Sequence, residues 1–213
     1  MATITKIEVQ KKDANKVSIF LDGEFYCGLY LDTAIKYSLK EDVEIDIKKL
    51  DEIVLESEKY LAFNKAINYL GEALKTEKQI RDYLYKKNYN KNTISYVVEK
   101  LKEYNYLNDE KYAENYIKTY RSKYGINMLR NKLYEKGISK NITENALSEF
   151  QSEDSEIYTL LVKKIGNKEV TNDLLTKCIR FLSGRGFSYD EIKNAINAFK
   201  NNRNLNFENI DDI

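Results

Sequence analysis

The heptapeptide Leu133–Ser139, "LYEKGIS", recurs as "LYKKNYN" at 84–90 and as "LSGRGFS" at 182–188, 49 residues away on either side. A spacing kept twice without slippage constrains the fold more than any composition figure, because it implies one supersecondary unit used three times. Helix-capping physics says what the unit contains. With Gly137 at C′, the left-handed position just past a helix end, Leu133 becomes C3 and Ile138 becomes C″, the apolar pair of a Schellman cap. Asn88 with Leu84 and Tyr89, and Gly186 with Leu182 and Phe187, fill the same roles; asparagine is the usual second choice where φ is positive. A helix start follows at once in each copy, with Asn90, Ser139 or Ser188 as N-cap, the last in a capping box with Glu191.

The helix after each turn carries its apolar face in one register: Ile94, Val97, Val98 and Leu101; then Thr143, Ala146, Leu147 and Phe150; then Ile192, Ala195, Ile196 and Phe199. A further amphipathic helix precedes each heptapeptide helix, marked by Phe63/Ile67, Tyr112/Tyr116 and Leu161/Ile165. Thr76 and Gln79 in "TEKQ" form the capping-box pattern that opens the heptapeptide helix of the first copy. Each module is thus three short helices with a tight turn between the second and third. One such unit has too little core to stand alone, so the copies must stack.

The first fifty residues read as β. "ITKIEVQ" and "VSIFL" alternate apolar and polar, and Asp22-Gly23 joins "VSIFL" to "EFYCGLYL" with the strongest short-range hairpin signal. A short helix at 32–38 and a last strand near "DVEIDI" complete a small sheet. From about Asp51 the period changes to 3.6. The expected fold is mainly α: three tandem three-helix repeats with a 49-residue period, forming an elongated curved array behind a small β-rich N-terminal region. The boundaries are 1–50, 51–105, 106–153, 154–200 and an acidic tail, 201–213, which frays.

Histidine and proline are both absent. Without histidine the commonest general base and metal ligand is missing, and Cys27 and Cys178 cannot by themselves make a thiolate zinc site. Both cysteines read as free thiols of a reducing cytosol. No phosphate-binding glycine loop or nucleophile elbow occurs, and the carboxylate pairs Glu56/Glu58 and Asp211/Asp212 lie in acidic contexts. The expectation is a non-enzyme without cofactor or metal. No run of eighteen apolar residues is present and "MATITKIEV" has no signal-peptide core, so a cytoplasmic protein without a membrane partner is expected.

Net charge is only +1, yet it is unevenly placed. Residues 41–58 hold eight acids against two lysines, residues 115–140 seven bases against Glu135, and residues 141–157 five acids and no base. Such blocks suit solvated helix faces or surfaces that meet charged partners. Within the basic block, Tyr112, Tyr116, Tyr120 and Tyr124 form an i+4 row interleaved with Arg121, Lys123, Arg130, Lys132 and Lys136. A basic face edged by phenols fits phosphate or an acidic protein groove. The heptapeptide cation, Lys87, Lys136 or Arg185, also favours the helix dipole. Arg81, Lys87 and Arg185 are secondary candidates. The helix–turn–helix of each module permits a DNA-reading role, against which stands an ordinary core face on its second helix and Asp190 and Glu191 where phosphates would approach.

The segment "LKEYNYLNDEKYAENYIKTYRSKYGINMLRNKLYEKGI" (101–138) resembles the characteristic segment of the RecX family, bacterial regulators of the recombinase RecA. Its marks are Leu107, Asn108 and Asp109 before Tyr112-Ala113, then the basic helix, Gly125, and Leu133-x-x-Lys136-Gly137. The N-terminal β region is similar to the extension of the longer, Gram-positive-type members. The resemblance implies a protein that binds the RecA nucleoprotein filament along its groove and modulates it, chiefly by inhibiting recombinase, ATPase and co-protease activity in DNA repair and the SOS response, with weak contact to single- or double-stranded DNA; a monomer is expected. Two alternatives stay open: a DNA-binding helical repeat that competes for single strands, and a protein–protein scaffold.

Overall fold

A computed structural model describes residues 1–11, 13–149 and 154–202. They sort into two compact units: Met1–Lys75 with Gln79–Leu107, and Thr76–Lys78 with the described residues from Asn108 onward. Phe150, the acidic tail from Arg203 and the Asp211/Asp212 pair lie outside the described residues.

In the first unit, β1 (Ala2–Gln10), β2 (Asp13–Leu21), β3 (Glu24–Tyr30) and β4 (Val43–Ile45) form an antiparallel sheet in the order β3-β2-β1-β4. Asp22 and Gly23 take φ of 49° and 92°, the turn their sequence predicts. Ile4, Val17, Ile19 and Leu29 are buried on one face, with Ala34 of α1 (Leu31–Lys36) and with Leu50 and Ile53 of α2 (Ile47–Glu72). The last strand is shorter and the long helix starts earlier than periodicity suggests. The cause is local: the Asp46 carboxylate accepts the Lys48 N–H at 3.1 Å and caps the helix there.

Helix α2 serves two cores. Leu50, Ile53 and Ser57 share a face toward the sheet, and the Ser57 hydroxyl accepts the Tyr30 N–H at 3.0 Å. Ala62 and Ala66 lie roughly 140° further round at 100° per residue. They join Ile80 and Leu84 of α3 (Glu77–Lys86) and Ile94, Val97, Val98 and Leu101 of α4 (Lys91–Glu103) in a second core. One uninterrupted helix thereby fixes the sheet to the first helical module. The absence of proline permits it.

The second unit contains α5 (Asp109–Tyr120), α6 (Ile126–Glu135), α7 (Lys140–Ser148), α8 (Asp154–Ile165), α9 (Asn172–Ser183) and α10 (Tyr189–Asn202). It holds two clusters, one around Ala113, Ile117, Leu129, Leu133, Ile138 and Leu147, the other around Ile157, Leu161, Leu175, Leu182, Ile196 and Phe199. The first helices bury a neighbouring register: Ala62/Ala66 and Ala113/Ile117 are fully inside, whereas Phe63/Ile67 and Tyr112/Tyr116 line the core edge. Small residues there let the helices approach, and the larger aromatics wrap the rim.

All three heptapeptides form the expected cap. Asn88, Gly137 and Gly186 have φ of 64°, 85° and 84°. The C″ amide reaches the C3 carbonyl in each: Tyr89 to Leu84 at 3.2 Å, Ile138 to Leu133 at 3.0 Å, Phe187 to Leu182 at 3.3 Å. Asn90 and Ser139 accept from Thr93 and Ile142, and Ser188 with Glu191 closes the capping box in both directions. Cysteines 27 and 178 are free thiols, and burial pushes both up, Cys27 to about 11.

Within the second unit the turn does more than end a helix. Gly125 N–H donates to the Arg185 carbonyl at 2.9 Å and Asn127 N–H to the Gly186 carbonyl at 3.3 Å, so the turn after α9 caps the start of α6. A Cβ on Gly125 would stand 2.5 Å from the Gly186 carbonyl carbon and the Phe187 nitrogen. Gly186 is confined twice, by its φ and by the Met128 backbone and side chain against it. Gly166 has φ of 59° but open space around it. We therefore expect Gly166→Ala to cost about 1 kcal/mol from backbone strain alone, and Gly186→Ala about 3 kcal/mol because overpacking adds to the strain. Urea midpoints of the two variants check this, and equal shifts would mean that the contact between turn and helix start contributes nothing.

Candidate interaction site

The phenol row of the sequence is a physical row in the structure. Three of its members lie on α5 and the fourth just beyond it, with ring centroids 6.1 Å apart for Tyr112–Tyr116, 4.5 Å for Tyr116–Tyr120 and 6.1 Å for Tyr120–Tyr124. The helix turns 400° over four residues, so the row winds gradually off the core face. Every ring is half-buried, with one side on Ile117 and its neighbours and the other toward solvent. Burial, then the neighbouring phenols, push Tyr116 up to about 12, so its hydroxyl stays protonated at neutral pH and can donate.

Three of the candidate cations sit over this row. Lys136 Nζ is 5.3 Å from the Tyr116 centroid, Lys123 5.9 Å from Tyr120, and Lys132 5.2 Å from Tyr124. Among the described residues none of the three makes an ion pair. The ring faces hold the ammonium groups in place while leaving their hydrogens for another acceptor. The result is a strip of three cations on a phenol floor, built from α5, α6 with its C-cap residue Lys136, and the loop between the two helices.

The two arginines of the central block are held differently. Arg130 makes a bidentate pair with Glu144 of α7, Nε to Oε1 at 2.8 Å and Nη2 to Oε2 at 3.1 Å, and its third nitrogen reaches Asn127. Tyr134 donates to the same carboxylate at 2.8 Å. Arg121 Nε meets Glu156 of α8 at 3.0 Å, with the carboxylate 17% exposed. Both arginines brace helices, which suits a planar fork of donors. Their partners, Glu144 and Glu156, escape a sequence reading that ranks cations alone. The signal was present: a block of five acids follows a block of seven bases, and adjacent blocks of opposite sign on short antiparallel helices can pair with each other.

The secondary candidates lie outside the strip. Arg81 Nη1 is 3.4 Å from the Ser95 hydroxyl, and Lys87 stands 5.7 Å from the Tyr83 ring. Arg185 stacks on Phe181 at 3.8 Å. In the first and third copies the heptapeptide cation thus covers the aromatic four residues before it. In the second copy that position is Lys132, and Lys136 turns to Tyr116 instead.

These features define a class of protein, a helical repeat whose chemistry is displayed on helix surfaces. Residues 2–46 match the family described as "Regulatory protein RecX N-terminal domain", residues 62–101 the first three-helix domain of RecX and residues 108–147 the second. The chain is similar to Regulatory protein RecX of Clostridium perfringens strain SM101, 36% identical over 95% of this chain and 98% of that one, and to that of Clostridioides difficile strain 630, 34% identical over 99% and 100%. The crystal structure of RecX from Lactobacillus salivarius superimposes with a TM-score of 0.62 at 29% identity, covering 67% of this chain and 97% of that one. A second RecX crystal structure shares the fold with a TM-score of 0.66 at 24% identity, over 90% and 97%. The chain belongs to the RecX family of regulatory proteins. No described helix is long and apolar enough to cross a membrane.

The brace at Arg130 makes a pH prediction. Hydrogen bonds from Arg130 and then Tyr134 hold the Glu144 carboxyl below its ordinary 4.5. A depressed folded-state value means the brace contributes fully above the unfolded value and loses that contribution as pH falls through the folded one. Arg130→Gln should raise the Glu144 carboxyl pKa toward or past 4.5, read by carboxyl-carbon NMR titration. An unmoved Glu144 would show that the bidentate pair is not formed in solution.

Proposed function

We propose that this chain regulates the RecA recombinase by binding the RecA–DNA filament along its groove, and that the regulation is inhibition of strand exchange, ATP hydrolysis and co-protease activity. Membership of the RecX family supports a regulatory, non-catalytic role. The observation that carries the finer reading is the strip of Lys123, Lys132 and Lys136 on the phenol row, because it lies inside the segment 101–138 that most resembles the family's characteristic sequence. Ammonium groups held over rings meet carboxylates or phosphates with part of their ordering entropy already spent in the free protein. The half-buried phenols add donors and flat apolar area, the composition enriched at the centres of protein interfaces.

Competition for single strands is the second reading, and the stacked phenols favour it, since aromatic platforms also hold bases. The balance of charge is against it. Three local cations on a chain of net charge +1 release few counterions on binding a polyanion, so affinity for bare strands should be low at any salt concentration, with a shallow salt dependence.

The test is ATP hydrolysis by preformed RecA filaments on single-stranded DNA during titration of this protein, beside its binding to the bare strand. The expected result is inhibition at fewer than one chain per RecA subunit. Lys132→Glu/Lys136→Glu should raise the half-inhibitory concentration about tenfold with helix content unchanged. Inhibition that appears only where the strand is coated would install the competition reading, and an unaffected double variant would remove the strip from the site.

A further inference from the structure

Five of the sixteen exposed large hydrophobics among the described residues gather on one face of the first unit: Leu55, Tyr60, Tyr96, Tyr104 and Tyr106. They belong to α2, α4 and the turn after α4, none of which contributes to the lysine strip. Between α2 and α4 runs a groove of about 300 Å³, walled by Tyr60 and Phe63 on one side and Tyr96, Lys100 and Tyr104 on the other. It continues past Lys59 and Tyr96 toward Lys91 at the start of α4. Along α4 it spans about 18 Å, from Asn92 to Tyr104 at 1.5 Å per residue.

The walls are ordered. Phe63 meets Tyr104 edge-on at 6.0 Å, Tyr104 meets Tyr106 at 6.3 Å, and Tyr60 meets Tyr30 at 6.4 Å. Lys59 Nζ lies 4.6 Å from the Tyr96 ring and Lys100 Nζ 5.9 Å from the Tyr104 ring. Tyr60, Tyr104 and Tyr106 are each more than half exposed, an arrangement that exposes flat apolar area contiguously rather than as single residues.

Three properties choose the occupant. Flat aromatic walls separated by a narrow trough match the ridges of a polyproline-II segment, whose carbonyls are all free to accept from tyrosine hydroxyls. The cations at Lys59 and Lys91 complement a carboxylate, whereas Lys100 is already paired with Glu103 at 2.6 Å. Against a polyanion stands Glu56, at the groove's end, where its carboxylate accepts from Lys36 at 2.5 Å and from Tyr37 and is thereby kept ionised. Glu58, two residues on, accepts from Asn90 at the groove's edge at 3.1 Å. A strand with one phosphate per nucleotide would run its charge into these acids, whereas a peptide can place one carboxylate by the lysines and neutral residues elsewhere.

We propose that the α2–α4 groove docks a short extended segment of a partner protein, rich in proline or aliphatic side chains and bearing a carboxylate. The groove would give this chain a protein contact separate in residues from the strip on α5–α6.

The experiment selects a displayed library of random twelve-residue peptides on the full chain, then measures selected peptides and a labelled fifteen-residue oligo-dT by fluorescence anisotropy. Variants are Tyr60→Ser/Tyr96→Ser and Lys59→Glu/Lys91→Glu, each checked for an unchanged thermal midpoint. Selected sequences should be enriched in proline or aliphatics together with Asp or Glu. Their affinity should fall at least about tenfold on the tyrosine variant. The lysine variant should prefer basic peptides. Three outcomes would overturn the proposal: no enrichment over the unselected library, selected peptides that bind both variants like the parent, or oligo-dT binding that is lost on the same substitutions and so marks the groove as a nucleic-acid site.

Discussion

The structure of the second unit depends on one backbone geometry, the left-handed residue that ends a heptapeptide helix. Reversing the chain there lets the C″ amide close on the C3 carbonyl, and it also leaves the carbonyls of the turn pointing outward. At Arg185 and Gly186 those carbonyls accept the amides of Gly125 and Asn127, so the orphan acceptors of one helix end satisfy the orphan donors of another helix start. The same unit shows the relation at the preceding turn, where Thr76 Oγ1 donates to the Lys136 carbonyl at 2.7 Å. Thr76 and Gly125 are 49 residues apart, as are Lys136 and Arg185. The repeat therefore reproduces a docking rule as well as a helix pattern.

That rule explains a difference between copies which capping alone does not. Asn88 suffices at the first turn, but Gly137 and Gly186 face other chain at close range: a Cβ on Gly137 would stand 2.5 Å from the Lys78 side chain. Left-handed φ can be met by asparagine, whereas left-handed φ with a neighbour against the α-carbon needs glycine. A third glycine, Gly125, is required for the reciprocal reason, since it has ordinary φ but presents its α-carbon to the turn.

Most of the fold was legible because it rests on local rules. The helix stops, N-caps, the Asp22-Gly23 turn and the apolar registers of α4 and α10 are each decided within a few residues, and all stand where their side chains put them. The long helix was less legible, since its buried face rotates between the sheet and the helical core, and a single stripe is the signal that periodicity detects. The site was legible only in part. Composition placed cations beside phenols in 112–136, but which cation pairs with which acid depends on packing between helices. Thus Arg121 and Arg130 are equivalent in sequence to Lys123, Lys132 and Lys136, and of the aromatics along the α2–α4 groove only Phe63 enters an amphipathic pattern.

The division between arginine and lysine follows from their chemistry. Arg130 satisfies both oxygens of Glu144 with a rigid fork, and Arg121 holds a largely buried carboxylate, roles a flexible ammonium fills poorly. The lysines rest on ring faces, a contact that orients the charge without consuming its hydrogens. An acidic partner arriving at the strip gains three pre-placed cations without first breaking an ion pair, whereas engaging Arg130 would require it to displace Glu144 and Tyr134. Binding at the lysines is therefore compatible with the helices staying as they are, and binding at the arginines is not. Under the proposed docking at the strip, this separates the charges that hold the surface's shape from those offered to a partner.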